Sequence, residues 1–253
     1  MGPGLICILA VVVMGVSSLW KARRKHKLAD PEQAQQARLQ ADQSLRRGRL
    51  EEATERSLTA VELAHAVQDR YLIAVAHLTY GKVAMRTGDD EKAREQFDQA
   101  QQFADQTVLV AFIWANLSLT LRQLGRVPEA LKLASDAVAS QIAITEPEAR
   151  PGAGWAHVAL ALAQTDSGQD GREAALRGLE IFREIEAEQA RPWGESSAFA
   201  CYATAYAMNA MGDSSAAWYA VEAVNSFTRL HSEVPSLYAR RLEDAKRLAD
   251  QIR

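Results

Sequence analysis

Residues 80–100 read YGKVAMRTGDDEKAREQFDQA, and this stretch carries the pattern that predicts the fold. A small residue, Gly81, stands seven positions before Gly88, and Ala93 stands five positions after it. Small side chains at these positions let two antiparallel helices approach closely, and the glycine between them permits a tight connection. The acidic residues after Gly88 favour the first turn of a following helix. The stretch therefore predicts a helical hairpin.

The same pattern recurs along the chain at spacings of 37–44 residues. The turn glycines are Gly48, Gly88, Gly125, Gly168 and Gly212. A small residue precedes each of them by seven positions, and an alanine follows four of them by five positions and Gly168 by six. Such a period is typical of stacked helical hairpins. The hairpins resemble tetratricopeptide repeats (TPRs) over about residues 31–232, with an unrelated helical-hairpin solenoid as the alternative.

This resemblance implies an all-α fold, a right-handed α-solenoid of about five helical hairpins plus a capping helix. The predicted repeat domain covers residues 28–253, after a transmembrane anchor with a basic flank at 1–27. The predicted units are about 31–67, 71–104, 107–144, 153–188 and 192–231, and the capping helix is 235–252.

Composition and motifs argue against an enzyme. The 253 residues are 48% hydrophobic and 24% charged, with 14 glycines and 7 prolines, as expected for a folded chain. Two cysteines, Cys7 and Cys201, are too few for a disulfide framework or a four-cysteine zinc site. The sequence has no phosphate-binding glycine loop and no nucleophile elbow, and its five histidines lack ligand spacing. We therefore predict no catalytic residue, no metal and no cofactor.

The N-terminal segment predicts a single membrane span. Residues 2–20 carry no charge, and as a helix they would extend about 28 Å, enough for a bilayer core. Basic residues follow at once, so the positive-inside tendency places the N-terminus outside and the repeat domain in the cytoplasm. A secretory signal peptide is the alternative, although its positive charge usually precedes the apolar stretch. The predicted membrane residues are Leu5, Ile6, Ile8, Leu9, Val12, Val16, Leu19, Trp20, Lys21, Arg23 and Arg24.

The rest of the chain is acidic, and this argues against a nucleic-acid partner. From residue 28 onward there are 24 Lys and Arg against 32 Asp and Glu. Nucleic-acid binding requires a basic face that releases counterions from the phosphates.

The resemblance to TPRs implies that the first helix of each unit lines a concave face that grips a peptide or helix of a partner. In the N-terminal half this face is polar and basic, and in the C-terminal half Phe199, Tyr202 and Tyr206 form an aromatic stripe. The alternatives are a solvated helix face for the cations and packing against a neighbouring hairpin or the capping helix for the aromatic residues. The predicted partner-binding residues are Arg38, Lys82, Met85, Arg86, Phe112, Arg122, Gln123, Phe199, Tyr202, Tyr206 and Asn209.

The predicted function is that of a non-enzymatic, membrane-tethered protein-interaction scaffold, as a subunit or assembly factor of a membrane complex. Its predicted partners are another protein and, through residues 2–20, the lipid bilayer. A ligand- or peptide-sensing regulatory TPR protein is the alternative, and an exported array with a cleaved anchor is a third possibility.

Overall fold

The computed structural model describes residues 30–141, 147–189 and 194–252. These ranges contain eleven α-helices and one short 3₁₀ helix, Pro147–Ala149. The α-helices are α1 Pro31–Arg46, α2 Leu50–Val67, α3 Arg70–Thr87, α4 Asp90–Phe103, α5 Thr107–Gln123, α6 Val127–Gln141, α7 Arg150–Asp166, α8 Arg172–Glu188, α9 Glu195–Ala210, α10 Ala216–Glu233 and α11 Pro235–Gln251. The predicted all-helical architecture of repeated hairpins is confirmed.

Each of the five hairpins consists of a first helix (α1, α3, α5, α7 or α9) and a second helix (α2, α4, α6, α8 or α10). The five predicted turn glycines all adopt positive φ, between 68° and 81°, where each first helix ends. A side chain with a Cβ would be strained in this left-handed conformation, so glycine is the residue that the connection requires. Aspartates cap several helix starts: the Asp69 carboxylate accepts from the Leu72 amide at 3.0 Å, and the Asp89 carboxylate from the Lys92 amide at 3.0 Å.

Small residues allow close contact within the hairpins, and they do so by more than one arrangement. In the second hairpin the ring of the fully buried Phe97 lies against Gly81, where a Cβ would be 2.4 Å from the ring. In the fourth hairpin Phe182 packs in the same way against Gly154, where a Cβ would be 2.7 Å from the ring. Helix α7 begins at Arg150, and Pro151 lies in its first turn, where proline is tolerated.

Helix α11 packs on α10 and also reaches the beginning of the array. The Ser236 hydroxyl donates a hydrogen bond to the Gly48 carbonyl at 2.8 Å, joining α11 to the first turn. Tyr238 and Leu242 belong to the same buried cluster as Leu45 of α1. The curved array is therefore closed by its own last helix, which was predicted only as a terminal cap.

The predicted localisation is corrected by the structure. The described helices are 14–18 residues long, and a membrane span needs about 20 largely apolar residues. Among residues 30–141, 147–189 and 194–252, no helix combines the length and the apolar character needed to cross a bilayer. The prediction of a single-pass protein with a cytoplasmic repeat domain is therefore wrong on this finding. Residues 2–20 and the basic flank at 21–27 lie outside the described residues.

Candidate functional site

The first helices and α11 surround a cavity of about 340 Å³, which we call the central chamber. It is lined by Asp42, Leu45, Arg46, Lys82, Met85, Arg86, Phe112, Asn116, Leu119, Trp155, Glu195, Ser196, Leu237, Tyr238 and Arg241. Every first helix and α11 contribute to this lining. The chamber therefore occupies the position that the TPR resemblance assigned to the concave face.

Helix α3 supplies the cationic wall of the chamber. Lys82, Met85 and Arg86 are three and four residues apart, so they lie on one helix face. The preceding residue, Gly81, sets the distance between α3 and α4 through its contact with Phe97. The packing of the second hairpin thereby positions the two cations of α3.

The chamber holds four cations, Arg46, Lys82, Arg86 and Arg241, against two carboxylates, Asp42 and Glu195. The Arg46 guanidinium lies 2.7 Å from the Asp42 carboxylate, and the Lys82 ammonium lies 3.9 Å from it. Arg86 pairs with Glu195 across the chamber, joining the second and fifth hairpins. Both carboxylates are thus already engaged, and positive charge remains in excess inside an acidic body.

Arg86 of α3 and Arg241 of α11 both line the chamber, but they differ in their interaction partners. Nη1 of Arg86 is buried and has no hydrogen-bond partner among the described residues. The Arg241 guanidinium lies 3.7 Å from the centroid of the Phe199 ring, and in the described part of the chain it has no ion-pair partner. Cation–π contact compensates only part of the loss of hydration of such a group.

Burial has a direct effect on the basic groups of the chamber. Together with the positive charge of Arg241, it lowers the pKa of Arg86 to about 9. Burial likewise lowers the pKa of Arg241 to about 10 and lowers that of Lys82. Both arginines remain protonated at neutral pH, so the chamber carries their charge at a cost in solvation.

The aromatic stripe packs beneath α11. Phe199 is buried and stacks with Tyr202 at 5.7 Å between ring centroids, and Tyr202 stacks with Tyr206 at 6.4 Å. The Tyr206 hydroxyl donates to the Asp166 carboxylate at 2.8 Å, and the Arg122 guanidinium donates to the same carboxylate at 2.5 Å. These contacts join the third, fourth and fifth hairpins.

The structure brings some of the predicted partner-binding residues together and separates others. Lys82, Met85, Arg86 and Phe112 line the central chamber. Met85, Arg86, Arg122, Gln123 and Phe199 line a smaller adjoining cavity of about 50 Å³. Arg38, Tyr202, Tyr206 and Asn209 line neither cavity. Arg38 donates to Gln35 at 3.1 Å on its own helix.

Sequence reasoning missed Glu195 and Arg241, which complete the chamber. A signal for Arg241 exists in the sequence, since it follows Leu237 by four residues and precedes Ala245 by four, on the apolar face of α11. A charged residue on an otherwise apolar helix face indicates a buried polar site.

The histidines also meet in an unexpected way. His65 of α2 and His77 of α3 have their Nε2 atoms 3.0 Å apart, and Nδ1 of His77 donates to Gln96 at 2.8 Å. Within residues 30–141, 147–189 and 194–252, no group of three or more His, Cys, Asp or Glu side chains has the arrangement of a metal site.

Comparison with known proteins identifies the fold. No protein-family model and no curated protein matches the chain. Its structure is similar to that of a kinesin light chain protein with nearly identical TPR-like repeats from Podosopora anserina, with a TM-score of 0.53 and 18% identity, over 79% of this chain and 97% of that one.

A second similar structure is a Rap protein in complex with Competence and Sporulation Factor. Its TM-score is 0.53 and its identity 16%, over 87% of this chain and 66% of that one. At these identities the comparisons establish the fold alone, and that fold is the helical-hairpin solenoid of TPR-like repeat proteins.

Proposed function

We propose that the protein is a non-enzymatic protein-interaction scaffold that binds an acidic segment of a partner protein at its concave face. The observation that carries the proposal is the charge of the central chamber, where four cations stand against two carboxylates in an otherwise acidic body. Complementary charge of this kind selects partners and speeds their encounter.

Lys82 is the cation through which an acidic side chain enters. Its side chain is 36% exposed, whereas that of Arg86 is only 19% exposed. At 3.9 Å from Asp42, the Lys82 ammonium makes no hydrogen bond to that carboxylate and can donate to another one. The apolar and aromatic walls, among them Phe112 and Trp155, contact the body of the entering residue.

The proposal is tested by fluorescence anisotropy with labelled peptides rich in Asp and Glu, and with the same peptides in which Lys replaces the acidic residues. We expect the acidic set to bind and the basic set not to bind. Lys82→Gln should weaken binding about tenfold, since a hydrogen bond to a charged group contributes about 1.5 kcal/mol or more.

Lys92 of α4 provides the matched control. Its side chain is 38% exposed and pairs with Glu95, but it lies outside the chamber. Lys92→Gln should leave the affinity unchanged. Equal binding of acidic and basic peptides, or equal loss in the two variants, would contradict the proposal.

A second candidate is a regulatory protein that senses a ligand, and the closure of the chamber by α11 favours it. The Ser236–Gly48 hydrogen bond and the contact of Tyr238 with Glu195, at 3.4 Å, hold α11 over the chamber. A partly covered cavity lined by both apolar and charged groups is typical of a small-molecule site. A shift of the thermal midpoint by small ligands supports this candidate, and binding of protein segments alone contradicts it.

A further inference from the structure

The most unusual arrangement in the molecule is the pair formed by Arg86 of α3 and Arg241 of α11. Both line the central chamber, and only Glu195 pairs with either of them among the described residues. Nη1 of Arg86 is buried without a hydrogen-bond partner. Glu195 pairs with Arg86 alone, and Asp244 acts on Arg241 without forming an ion pair with it. Two buried cations with one paired carboxylate cost free energy, which a bound anion would offset.

We propose that the central chamber binds a small organic dianion, with its anionic groups between Arg86 and Arg241. The lining carries an excess of two positive charges, with Arg46 the one largely exposed cation among the four, and two negative charges match that excess. Planar guanidinium groups match the oxygen geometry of carboxylates and phosphates, and Nη1 of Arg86 is a donor without an acceptor. The inference rests on the ligand-sensing candidate above and not on the binding of acidic peptides.

The walls of the chamber define the rest of the ligand. Phe112, Trp155, Leu119 and Leu237 line the same cavity of about 340 Å³, so an apolar or aromatic body fits beside the anionic groups. This volume lies at the lower end of the range for small-molecule sites.

Helix α11 limits what can lie between Arg86 and Arg241 to a small molecule. It contributes Leu237, Tyr238 and Arg241 to the chamber, and it is joined to the turn between α1 and α2 by the hydrogen bond from Ser236 to Gly48. An extended chain could pass through the chamber only after α11 had left, and Arg241 would leave with it. A ligand held by Arg86 and Arg241 therefore fastens α11 to α3.

The test is isothermal titration calorimetry of the full chain with phthalate and phenyl phosphate, which are aromatic dianions of the carboxylate and phosphate classes. Benzoate, a monoanion, and benzamidine, a cation of similar size, are the controls. We expect at least one dianion to bind ten or more times more tightly than benzoate, and benzamidine not to bind. The stronger of the two dianions identifies the class of oxyanion.

Arg240 offers a matched control for Arg241, because it is adjacent on α11 but has a side chain that is 55% exposed and does not line the chamber. Arg241→Gln should weaken the dianion at least tenfold, and Arg240→Gln should change its affinity less than twofold. Arg241→Lys keeps the charge and provides a second variant if the glutamine variant does not fold.

Hydrogen exchange supplies a readout that does not depend on variants. Bound dianion should slow the exchange of the α11 amides. Equal binding of benzoate and the dianions, no binding of either dianion, or equal losses in the Arg240 and Arg241 variants would overturn the inference. If acidic peptides bind and the dianions do not, the scaffold proposal stands and the dianion site falls; if neither binds, both fall.

Discussion

Replacing Gly81 by alanine tests whether the contact between α3 and α4 determines the position of the chamber wall. A Cβ at residue 81 would lie 2.4 Å, 2.6 Å and 2.9 Å from three atoms of the Phe97 ring. The ring is fully buried, so it cannot withdraw into solvent. Overpacking costs about 1–3 kcal/mol, and alanine recovers about 1 kcal/mol of helix propensity. Because three ring atoms overlap, the upper half of that range applies, and we expect the free energy of unfolding to fall by about 1–2 kcal/mol.

The assay is urea denaturation followed by circular dichroism, with Gly152→Ala as the matched control. Gly152 is also helical and buried, but a Cβ there would meet Gln141 at 3.4 Å and Phe112 at 3.6 Å, which are ordinary contacts. The control should therefore raise the free energy of unfolding by up to about 1 kcal/mol. Adding Phe97→Leu to Gly81→Ala should remove most of the penalty of the alanine. If Gly81→Ala stabilises the protein as much as Gly152→Ala does, the reasoning is refuted.

Three further predictions concern buried ionisable groups. Burial lowers the pKa of His77, so the unfolded chain takes up a proton more readily than the folded one. The contribution of His77 to the free energy of unfolding should be fully present above about pH 6.5 and should be lost as the pH falls below it. His77→Gln should flatten that part of the pH profile of unfolding. Burial raises the pKa of Cys201 to about 12, so iodoacetamide at pH 8 should label this thiol only after denaturation. Mass spectrometry of the peptide that contains Cys201 measures the labelling, and labelling of the native protein would contradict the burial. Arg241→Met should raise the free energy of unfolding by about 1 kcal/mol, since an apolar side chain replaces a buried charge without an ion-pair partner. A lower urea midpoint in this variant would instead show that Arg241 stabilises the fold.

The hairpins could be predicted because their determinants are local. A positive φ at Gly88 and a small residue at Gly81 act within a few helical turns, and both are visible in the order of the residues. The positions of the large side chains that fill the hairpins were harder to predict from the sequence. In the fourth hairpin Phe182 takes the part that Phe97 takes in the second, although it stands at a different distance from its turn glycine. Any aromatic ring that reaches the space beside the small residue can fill it, so the spacing from the turn glycine does not predict which residue does.

The closure of the array could not be predicted in this way. The contact of Ser236 with Gly48 joins residues 188 positions apart, and it depends on the small rotations that accumulate over five hairpins. The same holds for Arg86 and Glu195, which are 109 positions apart. Lys82 and Arg86 were predicted on the concave face, but the covering of that face by α11 was not predicted. For this reason the predicted groove is a chamber partly covered by α11.

The charges of the chamber are better explained by binding than by stability. A terminal helix needs only an apolar face to cover the last hairpin, and Leu242, Ala245 and Leu248 provide that face. Arg241 interrupts it, at a cost in solvation that Phe199 only partly offsets. Arg86 has a carboxylate partner but still leaves one buried donor unsatisfied. Groups that weaken a fold where apolar residues would serve it better are candidates for a functional site, and here both line the same cavity.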